Sequence, residues 1–172
     1  AKSNVTALRE AIVDKGMPVL ATSSTCTFTL RDEYPHLLDV DNTGLRERIE
    51  LATRYLWRRL DDGQKLPLKP LPLSVVYHTP CHMEKMGWSL YTLELLRLIP
   101  GLELTVLDSR CCGIAGTYGF KRENYETSQA IGAPLFRQIE ESGADIVVTD
   151  CETCKWQIEM STSKRCEHPI TL

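Results

Sequence analysis

The chain has 172 residues, a formal net charge of −3, a hydrophobic content of 42% and a charged content of 25%. These values are typical of a globular protein with an ordinary hydrophobic core. The slightly acidic balance gives no basis for nucleic-acid binding, and no apolar stretch is long enough to predict a transmembrane segment.

The first third of the chain alternates helical and strand patterns. It opens on an amphipathic pattern without an initiator Met or a signal peptide, so we expect a piece of a longer protein. Apolar spacing and punctuation predict a helix over residues 7–16, a buried strand over 18–22 and a short helix over 29–34. Apolar residues from Leu45 to Leu60 then predict one long helix over residues 42–63.

A proline-rich stretch, QKLPLKPLPL, separates this part from the rest and predicts an extended linker within residues 61–73. After it, strand patterns at 74–78, 102–108 and 144–150 alternate with helical patterns at 86–99, 123–143 and 153–162. A break of the second helix is expected near Pro134, and a last strand over 169–172. This alternation predicts an α/β fold with parallel sheets and flanking helices.

Two segments of the chain resemble each other. The order helix, glycine, strand, cysteine turn, helix occurs near VLATSSTCTFTL and again near VVTDCETCKWQI, where Cys154 matches Cys26. Cys151 has only a serine, Ser23 or Ser24, as its counterpart. We therefore predict a tandem repeat with a truncated, degenerate first unit (residues 1–60), a linker (61–73) and a complete second unit (74–172).

Five of the seven cysteines follow predicted strands of the second unit. Because parallel strands end at the same edge of a sheet, their side chains are expected to converge there. We call this group the five-cysteine site: Cys81, Cys111, Cys112, Cys151 and Cys154. Cys166 is expected at the opposite edge in a packing role, and Cys26 belongs to the first unit.

Three kinds of chemistry fit these cysteines. A structural zinc needs four ligands, so five thiolates leave one sulfur over. A multinuclear iron–sulfur cluster accommodates an additional thiolate. Thiol–disulfide exchange needs only Cys151 and Cys154. Glycines after the adjacent pair Cys111 and Cys112 permit a tight turn that directs both sulfurs to one centre.

Charged and imidazole side chains flank the cysteines. His78 and His82 are each able to ligate a metal or donate a hydrogen bond to a ligand, although ordinary loop histidines are the favoured interpretation. Lys85, Arg110 and Lys155 could offset thiolate charge, and a solvated position is equally expected for them.

The stretches HTPCHMEKMG, DSRCCGIAGTYGF and VVTDCETCKWQIEMST resemble the cysteine-rich CCG domain family. This family includes the B subunit of heterodisulfide reductase, the iron–sulfur subunit of glycolate oxidase and lactate-utilisation proteins. The resemblance extends over nearly the whole chain and implies a tandem of two CCG domains. It implies an iron–sulfur cluster of the 4Fe-4S type, with a non-cubane form in some relatives, on the five-cysteine site.

The resemblance also implies a role in anaerobic respiration. It implies an electron-transfer subunit without a substrate site of its own, working with flavin-containing dehydrogenase subunits and with membrane quinone as electron acceptor. The corresponding location is cytoplasmic and peripheral, at the inner face of the cell membrane. The serine beside Cys26 argues against a cluster in the first unit.

Overall fold

The computed structural model describes residues 1–12 and 15–172. In this part of the chain the strands are β1 (Val19–Ala21), β2 (Ile49–Leu51), β3 (Leu73–Tyr77), β4 (Leu102–Val106), β5 (Ile146–Val148) and β6 (Cys166–Glu167). They form a two-stranded sheet, β1-β2, and a four-stranded sheet in the order β4-β3-β5-β6. Every pairing is parallel, so the predicted α/β class with parallel sheets is confirmed.

Helices flank both sheets. They are α1 (Lys2–Ala11), α2 (Ser24–Phe28), α3 (Tyr34–Leu38), α4 (Ala52–Asp61), α5 (Cys81–Met86), α6 (Ser89–Arg97), α7 (Tyr125–Glu141) and α8 (Glu152–Ser161). A π-helical turn joins α2 to α3, which confirms helical structure over residues 29–34. The predicted helix over 7–16 is present as α1 up to Ala11, and residues 13 and 14 of that prediction lie outside the described part.

The two faces of β3 pack in different hydrophobic clusters, because successive side chains of a strand point in opposite directions. Val75 and Tyr77 pack with Leu96 of α6. Val76 packs on the other face with residues of α7, α8 and the cysteine loops. This alternation continues past the strand and decides which face His78 occupies.

The prediction of one long helix over residues 42–63 is wrong. Residues Ile49–Leu51 form β2 instead, paired with β1, and α4 begins only at Ala52. All three residues of β2 are buried, a pattern that fits a strand covered on both faces and not an amphipathic helix. The buried Glu50 is compensated by ion pairs with Arg54 and Arg58 at 3.5 and 2.5 Å.

Two further predictions in the second unit are corrected. Helix α7 continues through Pro134 without a break, held by buried side chains such as Leu135 and Ile139. The expected strand over 169–172 is a 3₁₀ turn, because Pro169 has no N–H for a ladder and the His168 side chain accepts a hydrogen bond from the Ile170 N–H. The last strand is β6, three residues earlier.

A buried hydrogen-bond network joins the first unit to the second. The Asp150 carboxylate accepts hydrogen bonds from Tyr77 at 2.6 Å, Thr92 at 3.1 Å and Thr53 at 3.3 Å. Thr53 lies on α4, whereas the other partners lie on β3 and α6. The Asp150 carbonyl also accepts the Ser24 N–H at 2.8 Å. One buried carboxylate therefore fixes α4 against the larger sheet.

Replacing Asp150 with alanine is expected to lower the unfolding free energy of the metal-free, reduced protein by about 3 kcal/mol, because three buried hydroxyl groups lose their acceptor. Urea denaturation followed by circular dichroism measures this change. Asp108→Ala is the matched control, since Asp108 is exposed two residues beyond the end of β4. Equal losses for the two variants would contradict the assignment of the network.

Candidate functional site

The carboxyl edge of the larger sheet carries the five-cysteine site. Cys81 opens α5 after β3, the adjacent pair Cys111 and Cys112 lies in the loop after β4, and Cys151 precedes α8, whose first turn holds Cys154. All five line one cavity of about 580 Å³. The predicted convergence of the five sulfur-bearing side chains is therefore confirmed, and their role as metal ligands stays a prediction.

The five cysteines differ in their exposure to solvent. Cys112, Cys151 and Cys154 are buried, Cys111 is half-buried and Cys81 is exposed. The Cys112 and Cys154 Sγ atoms lie 3.3 Å apart, although 42 residues separate them in the chain. The cavity thus has a floor of buried thiols and a rim that solvent reaches.

A tight backbone turn brings the adjacent cysteines to the cavity. Gly113 has a φ of +87°, and a Cβ built on it would lie 2.0 Å from the Ser128 carbonyl oxygen of α7. The Ser128 hydroxyl donates to the Gly113 carbonyl at 2.9 Å and accepts from Gln157 of α8 at 2.9 Å. Only glycine allows this loop to lie so close to α7.

Hydrogen bonding divides the thiols into two types. The pKa of Cys111 is lowered to about 2 by hydrogen bonds from Cys112 and Cys81, with a further one from the Gly113 N–H at 3.3 Å. The pKa of Cys112 is raised to about 12, chiefly because it donates to Cys111. Even without metal, the site therefore favours a thiolate at its half-exposed rim.

A second thiolate is favoured at Cys151. Its pKa is lowered to about 5 by a hydrogen bond from Cys154, with additional ones from Thr153 and Thr25. The two threonine hydroxyls lie 3.2 and 3.5 Å from the Cys151 sulfur. Donors around the sulfur stabilise the charged form that a soft metal binds.

The first unit closes one side of the cavity, which the sequence does not predict. Thr25 of α2 contacts the Cys151 sulfur and lies 3.1 Å from His82 Nδ1, and Phe28 stacks on the His82 ring with centroids 4.8 Å apart. Thr25 corresponds in the repeat to Thr153. This correspondence is the feature of the sequence that could have indicated a hydroxyl group of the first unit near the cysteines. Cys26 itself is exposed and does not line the cavity.

The two histidines beside Cys81 differ in environment. His82 is partly exposed at the cavity wall, held by Thr25 and Phe28. His78 directly follows β3 and is only 1% exposed. Burial lowers the pKa of His78 to about 4, which keeps its ring neutral near pH 7. One ring nitrogen lies within 4.8 Å of the sulfurs of Cys112 and Cys154.

The charged residues that flank the cysteines in sequence make no contact with the cysteine sulfurs in the hydrogen bonds and ion pairs of the described residues. Arg110 is exposed, the Lys85 ammonium lies 5.2 Å from the centre of the Phe28 ring, and Lys155 pairs with Glu159 at 2.6 Å. Cys166 is fully buried on β6 and pairs with Val147. It packs in the apolar core, as predicted, and is the first residue of β6, at the amino end of that strand.

No helix in residues 1–12 and 15–172 combines the length and apolar character that crossing a membrane requires.

The comparisons with known proteins agree with this geometry. Residues 75–159 match the model of the cysteine-rich domain family, CCG, and this stretch includes all of the five-cysteine site. The chain is 83% identical to the C subunit of the anaerobic glycerol-3-phosphate dehydrogenase of Escherichia coli, over 99% of its own length and 43% of that protein. It spans less than half of that relative's length.

More distant relatives match as well. The chain is 34% identical to an iron–sulfur protein of Methanocaldococcus jannaschii, over 85% of its own length and 27% of that protein. It is 32% identical to lactate utilization protein A of Bacillus velezensis, over 77% of its own length and 58% of that protein. A cysteine-rich CCG domain is therefore present at residues 75–159 of the chain.

Proposed function

We propose that this chain is the iron–sulfur electron-transfer part of a subunit that relays electrons from anaerobic glycerol-3-phosphate oxidation toward membrane quinone. The observation that carries the proposal is the convergence of five cysteines from three strand ends on one cavity. The 83% sequence identity to a glycerol-3-phosphate dehydrogenase subunit supports the substrate class. The 34% identity to an iron–sulfur protein supports the cofactor.

The residues present fit such a cluster. Five thiols are one more than a closed structural zinc site uses, and three of them have no part in dithiol exchange at Cys151 and Cys154. Two of the sulfurs are already favoured as thiolates in the metal-free protein. When bound, an iron–sulfur cluster supplies a centre that accepts and returns single electrons.

The protein's own groups control the surroundings of that centre. Cys112 and Cys154 lie buried at the cavity floor, whereas exposed Cys81 marks the side nearest to an external electron partner. The hydroxyl groups of Thr25 and Thr153 lie 3.5 and 3.2 Å from the Cys151 sulfur and donate to it when it is a thiolate. Hydrogen bonds to ligand sulfurs withdraw negative charge and thereby set the reduction potential.

The proposal has finer parts. The proposed cluster is of the 4Fe-4S type, and the non-cubane form is the alternative that would accommodate a fifth thiolate. The electron partners are flavin-containing dehydrogenase subunits on one side and membrane quinone on the other. The location is cytoplasmic, peripheral at the inner face of the membrane.

We also propose that the two units arose by duplication. In each, a strand is followed by a helix that begins at the cysteine turn: β1 by α2, and β5 by α8. Each of these strands has a parallel neighbour from later in its own unit, and Glu50 and Cys166 occupy equivalent positions there. The loss of one cysteine left the first unit as a wall of the second unit's cavity.

Metal and sulfide analysis of the full chain tests the cofactor. The protein is purified and reconstituted with iron and sulfide under strictly anaerobic conditions, since air would destroy the cluster, and examined by EPR. Several irons with acid-labile sulfide and a reducible EPR signal are expected. A single zinc would establish the structural zinc module instead, and metal-free protein with a titratable dithiol would establish a thiol–disulfide enzyme.

A further inference from the structure

His78 occupies a position where packing alone would favour an apolar residue. It directly follows β3, and its N–H donates to the Val148 carbonyl at 2.9 Å, so it continues the ladder between β3 and β5. Strand alternation therefore places its side chain on the same face as Val76, which packs against the apolar core of α7 and α8. The imidazole is 1% exposed in these surroundings.

Both ring nitrogens of His78 lack a hydrogen-bond partner in the protein. Leaving a buried polar atom unsatisfied costs about 1–3 kcal/mol, so such atoms normally have a partner. The nearby thiols of Cys112 and Cys154 do not supply one, because neither receives an N–H···S bond from the ring. A partner outside the polypeptide would satisfy a ring nitrogen.

The spacing of the three side chains identifies that partner as a metal. The ring nitrogen and the two sulfurs all lie within 4.8 Å of one another, and the sulfurs are 3.3 Å apart. Donors bound to one tetrahedral metal at about 2.0–2.3 Å lie about 3.5–3.8 Å from each other, so small side-chain shifts bring the three into a common coordination sphere. Imidazole also ligates iron in some iron–sulfur centres.

We propose that His78 is a sixth ligand of this site, a nitrogen donor to the metal centre that Cys112 and Cys154 hold. The inference deepens the proposed function and rests on it, since the metal is the iron of the proposed cluster. The ligand set is then five thiolates and one imidazole, and the imidazole adds no negative charge to a site already rich in thiolate.

Pulsed EPR of the full chain tests this assignment. The protein is produced with ¹⁴N- or ¹⁵N-histidine, reconstituted anaerobically with iron and sulfide, and examined in its paramagnetic state. A strong nitrogen coupling that changes with the isotope is expected, because it marks a directly bound imidazole. This measurement needs no substitution, so it does not depend on how well a variant folds.

Variants then assign the nitrogen. His78→Leu is expected to abolish the coupling, whereas His82→Gln and His36→Gln are expected to retain it, His36 being exposed on α3. An iron-loaded protein without strong histidine coupling, or with coupling that survives in His78→Leu, overturns the sixth ligand and leaves the cluster assignment intact. A reconstituted wild-type protein without iron overturns both, and iron analysis of the same sample separates the two failures.

Discussion

Cys154→Ser is expected to lose the bound iron and acid-labile sulfide of the reconstituted protein, with at least about a tenfold drop in iron affinity. Cys154 lies at the buried floor of the cavity, and its sulfur is 3.3 Å from that of Cys112. Serine places a hard oxygen where a soft thiolate is required. Iron and sulfide assays, with the visible absorbance of the cluster, measure the loss.

The repeat supplies a matched control for that variant. Cys26→Ser makes the same substitution at the corresponding position of the first unit, where the cysteine is exposed and outside the cavity. This variant is expected to retain its iron and sulfide in full. Equal losses in both variants would mean that the iron is not bound by the second unit's cysteines.

Gly113→Ala is expected to lower the unfolding free energy of the metal-free protein by about 3 kcal/mol or more and to prevent cluster formation. The new Cβ would meet the Ser128 carbonyl oxygen at 2.0 Å, so the loop would have to move away from α7. That movement would displace both adjacent cysteines from the cavity. Urea denaturation measures the stability, and iron analysis after reconstitution measures the site.

Gly116→Ala is the control that distinguishes the steric contact at Gly113 from the effect of a positive φ alone. Gly116 also has a positive φ, +65°, but nothing lies within 4 Å of a Cβ built there. Its substitution is expected to cost only about 1–2 kcal/mol, the strain of a left-handed conformation, and to leave iron binding intact. If the two variants were equally stable, the close approach of Gly113 to α7 would not be what shapes the loop.

Several elements were predictable because their signals are local. The buried apolar runs of β3 and β5, the glycine-punctuated helices and the length of each crossover predict parallel strands with a common exit edge. The prediction of one long helix over residues 42–63 was wrong because it also relied on a local signal alone. Leu45, Ile49, Leu56 and Leu60 fit a helical period, and only the pairing of Ile49–Leu51 with β1 reveals the strand.

Side-chain contacts across the two units could not be predicted in this way. Thr25 and Cys151 are 126 residues apart, and no local pattern indicates that a hydroxyl of α2 contacts that sulfur. The burial of His78 likewise depends on α7 and α8 covering the end of β3. In the sequence, His78 and His82 look equivalent, because their difference arises only from what packs around each.

Sequence alone was sufficient to place five thiols at one edge of a parallel sheet, because strand order and crossover length fix the direction in which each strand ends. Only the tertiary structure determines which sulfurs are buried, which thiols have a lowered pKa, and that the first unit supplies a wall of the cavity. The physical reason is range: periodicity reports on neighbours within a few residues, whereas burial and hydrogen bonding around the site depend on residues 97 to 126 positions apart.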